Sequence, residues 1–310
     1  MPIKRQSLFS FSMHSPLPFA ALLFNAFVWG LAWWPFQRMH QAGLHPLWAT
    51  ACMYAVVLVA LLAWRPGILQ QMRAHPQLWL LALASGLNNV AFNWAVTIGD
   101  VVRVILLFYL MPAWAVLLAW RILGERPTPA ALLRLALAFA GVVLVLLPEG
   151  APAARLLQNL SLADGLALLG GFMFALTNVT LRRLHAVPGP ARMVTMFGGC
   201  MLMALVVAGV GLQLGVVEPF PAPSSTWVVT GLLLAGLLML GNWALQFGAA
   251  RLAAGTTALV MLSEVMFASV SSALLGASTL STRTVLGGGM ILLASLLAAL
   301  QFRRPGGAAH

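Results

Sequence analysis

Residues 77–98 read QLWLLALASGLNNVAFNWAVTI, a run of 22 residues without one ionisable side chain. At about 1.5 Å per residue, a helix of this length crosses a hydrocarbon core about 30 Å thick. Backbone polar groups cannot stay unpaired in lipid, so the run is expected to be helical. It also contains Asn93-Trp94-Ala95, and the same triplet returns as Asn242-Trp243-Ala244, again near the end of an apolar run. One stretch thus bears on both the membrane and an internal repeat.

Outward from it, further apolar runs are bounded by Pro, Gly, Arg or His. Together they predict ten spans, at about 17–36, 45–64, 77–98, 101–122, 129–148, 162–181, 190–213, 226–247, 252–276 and 282–302. The whole chain agrees: 61% of its 310 residues are hydrophobic and 7% are charged, where a soluble domain carries about 25% charged residues. Its mean hydropathy is +0.95. The alternating segments of about ten residues that a membrane barrel needs are absent from the sequence. The basic N-terminal Lys4-Arg5 and the run after it superficially resemble a signal peptide. That run holds Trp29, Trp33 and Trp34 and has no small-residue cleavage site, so it is read as a retained first helix.

The formal charge of +11 does not read as a nucleic-acid footprint, because the basic residues fall in short gaps between apolar runs. They read as topology. With the N-terminus in the cytoplasm, 13 basic residues lie on the cytoplasmic side and four (Arg38, Arg103, Arg155 and Arg283) on the other, which accounts for all 17. The positive-inside rule favours that placement, with both termini cytoplasmic and the lipid bilayer as partner. No nucleic-acid partner is expected.

The repeat extends beyond the triplet. Trp29 and Arg38 match Phe174 and Arg183 at one offset, and spans two and seven both open at a proline, Pro46 and Pro190. Leu123-Gly124-Glu125-Arg126-Pro127-Thr128 corresponds to Gly276-Ala277-Ser278-Thr279-Leu280-Ser281. Five spans per half is odd, so the second half enters the membrane inverted. Inverted repeats place a binding site near mid-bilayer at their interface. The expected fold is all-α and integral to the membrane, with ten transmembrane helices as two inverted five-helix repeats. A cytoplasmic tail (1–16) precedes the first repeat (17–148). A connecting loop (149–161), the second repeat (162–302) and a cytoplasmic tail (303–310) follow.

Leu110-Met111-Pro112, then Leu123-Gly124-Glu125-Arg126, then an apolar helix with Gly141-Val142-Val143, resemble the EamA-type repeat of the drug/metabolite transporter superfamily. Trp29-Gly30 is similar to that family's opening. The resemblance covers about residues 17–302. It implies ten helices, cytoplasmic termini in a bacterial-type inner membrane, a monomeric functional unit, and outward movement of small metabolites, amino acids among them. Aromatic amino-acid exporters are among the relatives. Two positions depart from the pattern: Ser278 stands where the repeat usually carries Glu, and Val265 where it often carries Pro.

Glu264, about twelve residues into span nine, is the sharpest candidate for chemistry. A carboxylate at that depth costs about 2.5–3.5 kcal/mol on insertion scales. Seven residues to either side, Thr257 and Ser271 extend a polar stripe. Glu264 reads as a proton or substrate site, or as an acid bonded to a neighbouring helix. Asn25, Trp29 and Trp33 share one face of span one. The indoles either stack a planar or cationic substrate or pack as structural and interfacial rings. Asn89, Asn93, Asn242 and Gln246, with Asn88, Asn178 and Trp243, either bind a zwitterionic or amide-bearing substrate or hold helices together. Pro112 should kink span four as a hinge or a static bend, with Tyr109 one turn earlier. Asp100 and Arg103 can pair near the outer end of the same span. Glu125 is read as capping the next helix or binding Arg134.

A secondary transporter of small molecules is the leading expectation, with a channel, a lipid scramblase or an intramembrane enzyme as alternatives. An enzyme is disfavoured: all six histidines lie outside the spans, Glu264 has no acidic partner, and there is no Walker-type loop. Cys52 and Cys200 lack metal or redox spacing and read as inert thiols. No cofactor or metal is expected.

Overall fold

A computed structural model describes residues 16–64, 67–98, 101–146, 161–275 and 282–302. The tails, nearly all of the connecting loop, Asp100, Ser278 and the Arg103 side chain lie outside the described residues.

The described residues form helices α1 (Leu17–Gln41), α2 (Pro46–Trp64), α3 (Ile68–Ala74), α4 (Leu78–Ile98), α5 (Val101–Phe108), α6 (Met111–Leu118), α7 (Pro129–Leu146), α8 (Leu162–Arg183), α9 (Gly189–Gln213), α10 (Ser225–Ala249), α11 (Ala254–Met261), α12 (Glu264–Leu274) and α13 (Thr282–Phe302). A π-helical turn, Ala119–Leu123, extends α6. Ten spans result, because α5–α6 and α11–α12 are each one crossing with a break. The short α3 lies where the sequence reading has only a connection. Serines at the helix starts satisfy free backbone N–H groups. Ser161 and Asp164 form a reciprocal capping box on α8, with bonds of 3.3 and 2.6 Å. Ser224 Oγ accepts from the Trp227 N–H on α10.

The halves run in opposite senses. Trp48 Nε1, near the start of α2, donates to the Glu218 carbonyl in the α9–α10 connection. Arg182, near the end of α8, donates to the Ala250 carbonyl at the end of α10. The opening helix of the first repeat therefore ends at the face where α10 begins, and its counterpart α8 ends at the face where α10 ends. Packing follows the same pseudo-symmetry: α1 lies on α10, α8 lies on α4, and α7 lies on α13. At that last crossing a Cβ on Gly141 or on Gly287 would sit 2.5 Å from the other's carbonyl oxygen. Small residues let backbones approach where lipid offers no hydrophobic drive for association.

The first break falls where Pro112 predicts a kink, and the main departure from the expected spans is the second, in a span expected to run straight through. The two breaks are equivalent: α5 and α11 begin 153 residues apart (101 and 254), as do α6 and α12 (111 and 264). In the first, Pro112 lacks the N–H that would bond the Phe108 carbonyl. The second has no proline. There the Ser263 hydroxyl donates to the Val260 carbonyl at 2.6 Å, and tighter i→i+3 backbone bonds run through Leu262, Ser263 and Val265. A serine bonded back onto its own helix bends it. Ser263 thus stands in for the missing proline.

One pair of equivalent interfaces is unlike the other. α4 closes tightly on α9, where a Cβ on Gly86 would lie 2.6 Å from the Gly199 carbonyl oxygen. The counterpart pair, α2 and α10, leaves an apolar cleft of about 130 Å³ lined by Cys52, Met53, Val56, Trp227, Gly231 and Leu232. The cleft lies toward the α1–α2 end of the bundle. The opposite end, which carries Arg182 and Arg251, is the basic end.

Candidate functional site

The opening helix of each repeat packs on the broken span of the other. Gly30 of α1 faces the second break, where a Cβ would lie 2.9 Å from the Glu264 carbonyl oxygen. Gly171 of α8 faces the first, where a Cβ would lie 2.5 Å from the Phe108 carbonyl oxygen. This is the carbonyl that Pro112 leaves without its helical partner. One turn before Gly30, Asn25 Nδ2 reaches Met261 Sδ at 3.4 Å, at the edge of the second break. Asn25 is fully buried, and its Oδ1 has no hydrogen-bond partner.

Glu264 and Tyr109 belong to this centre. Glu264 opens α12 and keeps accessible surface although it lies mid-span. Among the described residues it makes no hydrogen bond or ion pair, and it lies within electrostatic range of the buried Tyr109. Glu264 thus lies partly accessible at mid-depth, outside any bonded interhelical contact among the described residues. Pro112 is buried at the start of α6, where the sequence placed a kink.

The amides divide into two groups. Asn89 Nδ2 donates to the Tyr54 hydroxyl at 3.2 Å. Asn93 Nδ2 donates to Thr50 Oγ1 at 3.3 Å and to Asn89 Oδ1 at 3.1 Å. The bonds to Tyr54 and Thr50 tie α4 to α2. The Gln246 amide lies 2.8 Å from Asn242 Oδ1 and packs on Met196 of α9. Turned to satisfy both its ends, it donates to the Gly189 carbonyl at 3.2 Å. Asn178 is different: it is fully buried on α8, and neither amide atom has a partner. Asn88 Oδ1 is also buried without one. Asn93→Leu should therefore cost about 0.6 kcal/mol, the typical worth of its interhelical bond to Thr50. Asn178→Leu should leave stability unchanged or raised. Thermal unfolding of the two variants in detergent checks the contrast.

The aromatic residues do not converge as a group. Trp29 is partly buried against the core. Trp33 Nε1 donates to Ser271 Oγ at 3.0 Å, and Ser271 Oγ in turn lies 3.3 Å from the Gly30 carbonyl. Trp33 and Ser271 thus bolt α1 to α12. Trp243 is 54% exposed on the outside of the bundle, because one residue beyond Asn242 turns about 100° around the helix. Its position departs from the cavity-lining expectation.

The basic end holds a contact the sequence did not reveal. Gly124 takes a left-handed φ of 73° at the end of the π turn, a conformation glycine adopts without a Cβ penalty. The chain turns there and carries Glu125 across to the other repeat. Glu125 Oε1 lies 3.4 Å from Arg182 Nε, and Oε2 accepts from the Ala254 N–H at 3.3 Å. Glu125 therefore neither caps α7 nor binds Arg134; Thr128 Oγ1 accepts from the Ala131 N–H instead. Glu125 and Arg182 are 57 residues apart, and no local spacing links them. Tyr54, Thr50 and Ser263 were missed for a related reason: as neutral residues in apolar runs, they show themselves only through the partner helix.

Comparison with known proteins agrees with this architecture. Residues 17–147 match the EamA-like transporter family. An uncharacterized transporter of Pseudomonas aeruginosa is 37% identical over 89 residues, a stretch covering 27% of this chain and 30% of that protein's length. A protein of known crystal structure superposes with a TM-score of 0.74 at 18% identity, over 95% of this chain and all of its own. That likeness speaks for the fold. The chain is a multi-pass α-helical membrane protein, and its residues 17–147 are similar to the EamA-like transporter family.

Proposed function

We propose that the protein is a secondary transporter that carries small metabolites, amino acids foremost, by alternating access between its two inverted halves. The observation that supports this reading most is the pairing of the two mid-membrane breaks around Glu264 and Tyr109. Broken helices at membrane depth are tolerated where they line a cavity, and inverted-repeat transporters use them at the substrate site. Around the breaks, Asn25, Tyr109 and Glu264 offer amide, hydroxyl and carboxyl groups to a zwitterion, and Trp29 on the same face of α1 as Asn25 offers an indole to a ring. Pro112 and Ser263 are the bending points, one in each half. The basic end faces the cytoplasm of a bacterial-type inner membrane under the positive-inside rule, transport runs outward, and the functional unit is a monomer.

Counterflow tests the reading. Purified protein in liposomes loaded with unlabelled amino acids should accumulate labelled aromatic or aliphatic ones transiently and saturably. Flux that is linear in concentration and shows no counterflow would indicate a channel. No flux of any amino acid would remove them as cargo.

A further inference from the structure

We infer that Glu125 is a one-sided gate residue, and that Asn178 and Thr257 line the half of the translocation path that it holds shut. The inference rests on the transport reading above.

Three observations converge. The first is the latch. Glu125 belongs to the first repeat, while Arg182 and the Ala254 N–H belong to the second. One carboxylate therefore ties the end of α8 and the start of α11 to the loop after α6. Those are the elements whose separation would open the basic end. Arg182 also donates to the Ala250 carbonyl at 2.9 Å, which draws in the α10–α11 turn. The carboxylate engages an ion-pair partner and a helix N-terminus together, both favourable to an anion.

The second is what lies behind the latch. α8 and α11 touch at two levels: Val179 with Ala254 and Ala119, and Ala175 with Ala258 and Ala115. Asn178 and Thr257 fall between those levels, on α8 and α11 respectively. Both are fully buried, and the Asn178 amide and the Thr257 hydroxyl have no partner. Unpaired buried polar groups are costly and rare. Two of them on facing helices, between a latch and an accessible mid-membrane acid, are what the walls of a polar passage become when the passage is pressed closed. Thr257 and Glu264 are seven residues apart, so the line continues toward the centre.

The third is asymmetry. At the 153-residue offset that relates the two broken spans, the counterpart of Glu125 is Ser278, which has no charge. The packing agrees: α4 and α9 are shut, while the equivalent α2 and α10 leave a cleft toward the α1–α2 end. The protein therefore rests closed at the basic end, and opening that end requires release of Glu125.

Cysteine accessibility tests this without any cargo. Asn178→Cys and Thr257→Cys are made with Cys52 replaced by Ala. Cys200, which lies in the α4–α9 interface, is replaced by Ala as well, and Ala208→Cys, buried with Leu47 and Val217 at the opposite end of α9, serves as the control for general loosening. A membrane-impermeant maleimide is added to reconstituted protein from the side on which an Arg126→Cys reporter reacts. Glu125→Gln and, independently, Arg182→Gln should each raise the labelling rate at both positions at least fivefold. Glu125→Asp should fall between wild type and Glu125→Gln, and the Ala208→Cys control should stay slow throughout. Unchanged labelling in folded variants, or an equal rise at the Ala208→Cys control, overturns the gate. Should either Gln variant fail to fold, Glu125→Asp carries the same criterion at a twofold rise. Flat labelling with working counterflow removes the gate alone. Raised labelling without counterflow of any amino acid removes the cargo assignment and leaves the gate standing.

Discussion

Glu264→Leu is expected to abolish counterflow, by at least tenfold, while raising the thermal stability of the protein. The two effects come from one cause. A carboxyl group at mid-membrane costs about 2.5–3.5 kcal/mol on insertion scales, whereas leucine is favourable by about 0.5 kcal/mol. Glu264 recovers little of that cost from its surroundings, since among the described residues nothing bonds it. The expected gain on replacement is about 1–3 kcal/mol. A group kept at a net cost to stability is the usual mark of a functional residue. Glu264→Gln separates charge from shape. It should keep the fold and lose any dependence of counterflow on pH that the wild type shows. Unfolding followed by intrinsic fluorescence, alongside counterflow on the same preparations, gives both readouts. If Glu264→Leu lowered stability and left counterflow intact, Glu264 would be a structural residue and the central site would lie elsewhere.

The second large effect concerns packing. Gly198 and Gly199 are neighbours on α9, and alanine at the two positions should act in opposite directions. A Cβ on Gly199 would fall inside the Ala82 carbonyl group, while a Cβ on Gly198 would meet nothing within 4 Å. The obstacle at Gly199 is backbone, which cannot rotate aside, so α4 and α9 would have to part. Overpacking of this kind costs typically 1–3 kcal/mol, and the upper end is expected here. Because α4 and α9 form the closed interface of the pair, Gly199→Ala should also weaken the basic-end closure. Gly198→Ala should be neutral or stabilising by up to about 1 kcal/mol, from the better helix propensity of alanine. Thermal unfolding of the two variants side by side checks this. Equal behaviour would mean that α4 and α9 do not meet as described.

The sequence by itself determined what the bilayer enforces. Length and apolarity of a run require a helix, because lipid leaves no other way to pair the backbone, and ten such runs are legible without any partner helix. The inverted arrangement follows from an odd number of spans per repeat and from the distribution of arginines. Pro112 announced its break, since a missing N–H is written in the residue itself. Glu264 stood out because a charge at that depth has no cheap explanation.

Tertiary structure decided what depends on partners. The second break is set by a serine hydroxyl that turns back on its own helix, and a serine in an apolar run can equally face a neighbour. The amides were legible as a set, but which of them are bonded and which are left unpaired depends on where Tyr54, Thr50 and Met196 arrive from other helices. Asn242 and Trp243 are adjacent in sequence and lie on different faces, so a triplet that marks the repeat does not mark the site. Glu125 showed this most clearly. Its local neighbours offered a helix cap and Arg134, yet the left-handed turn at Gly124 sends it to Arg182 and Ala254 in the other half. A carboxylate takes whichever donors the fold brings within about 3 Å, and only the packing of one repeat against the other brought those two.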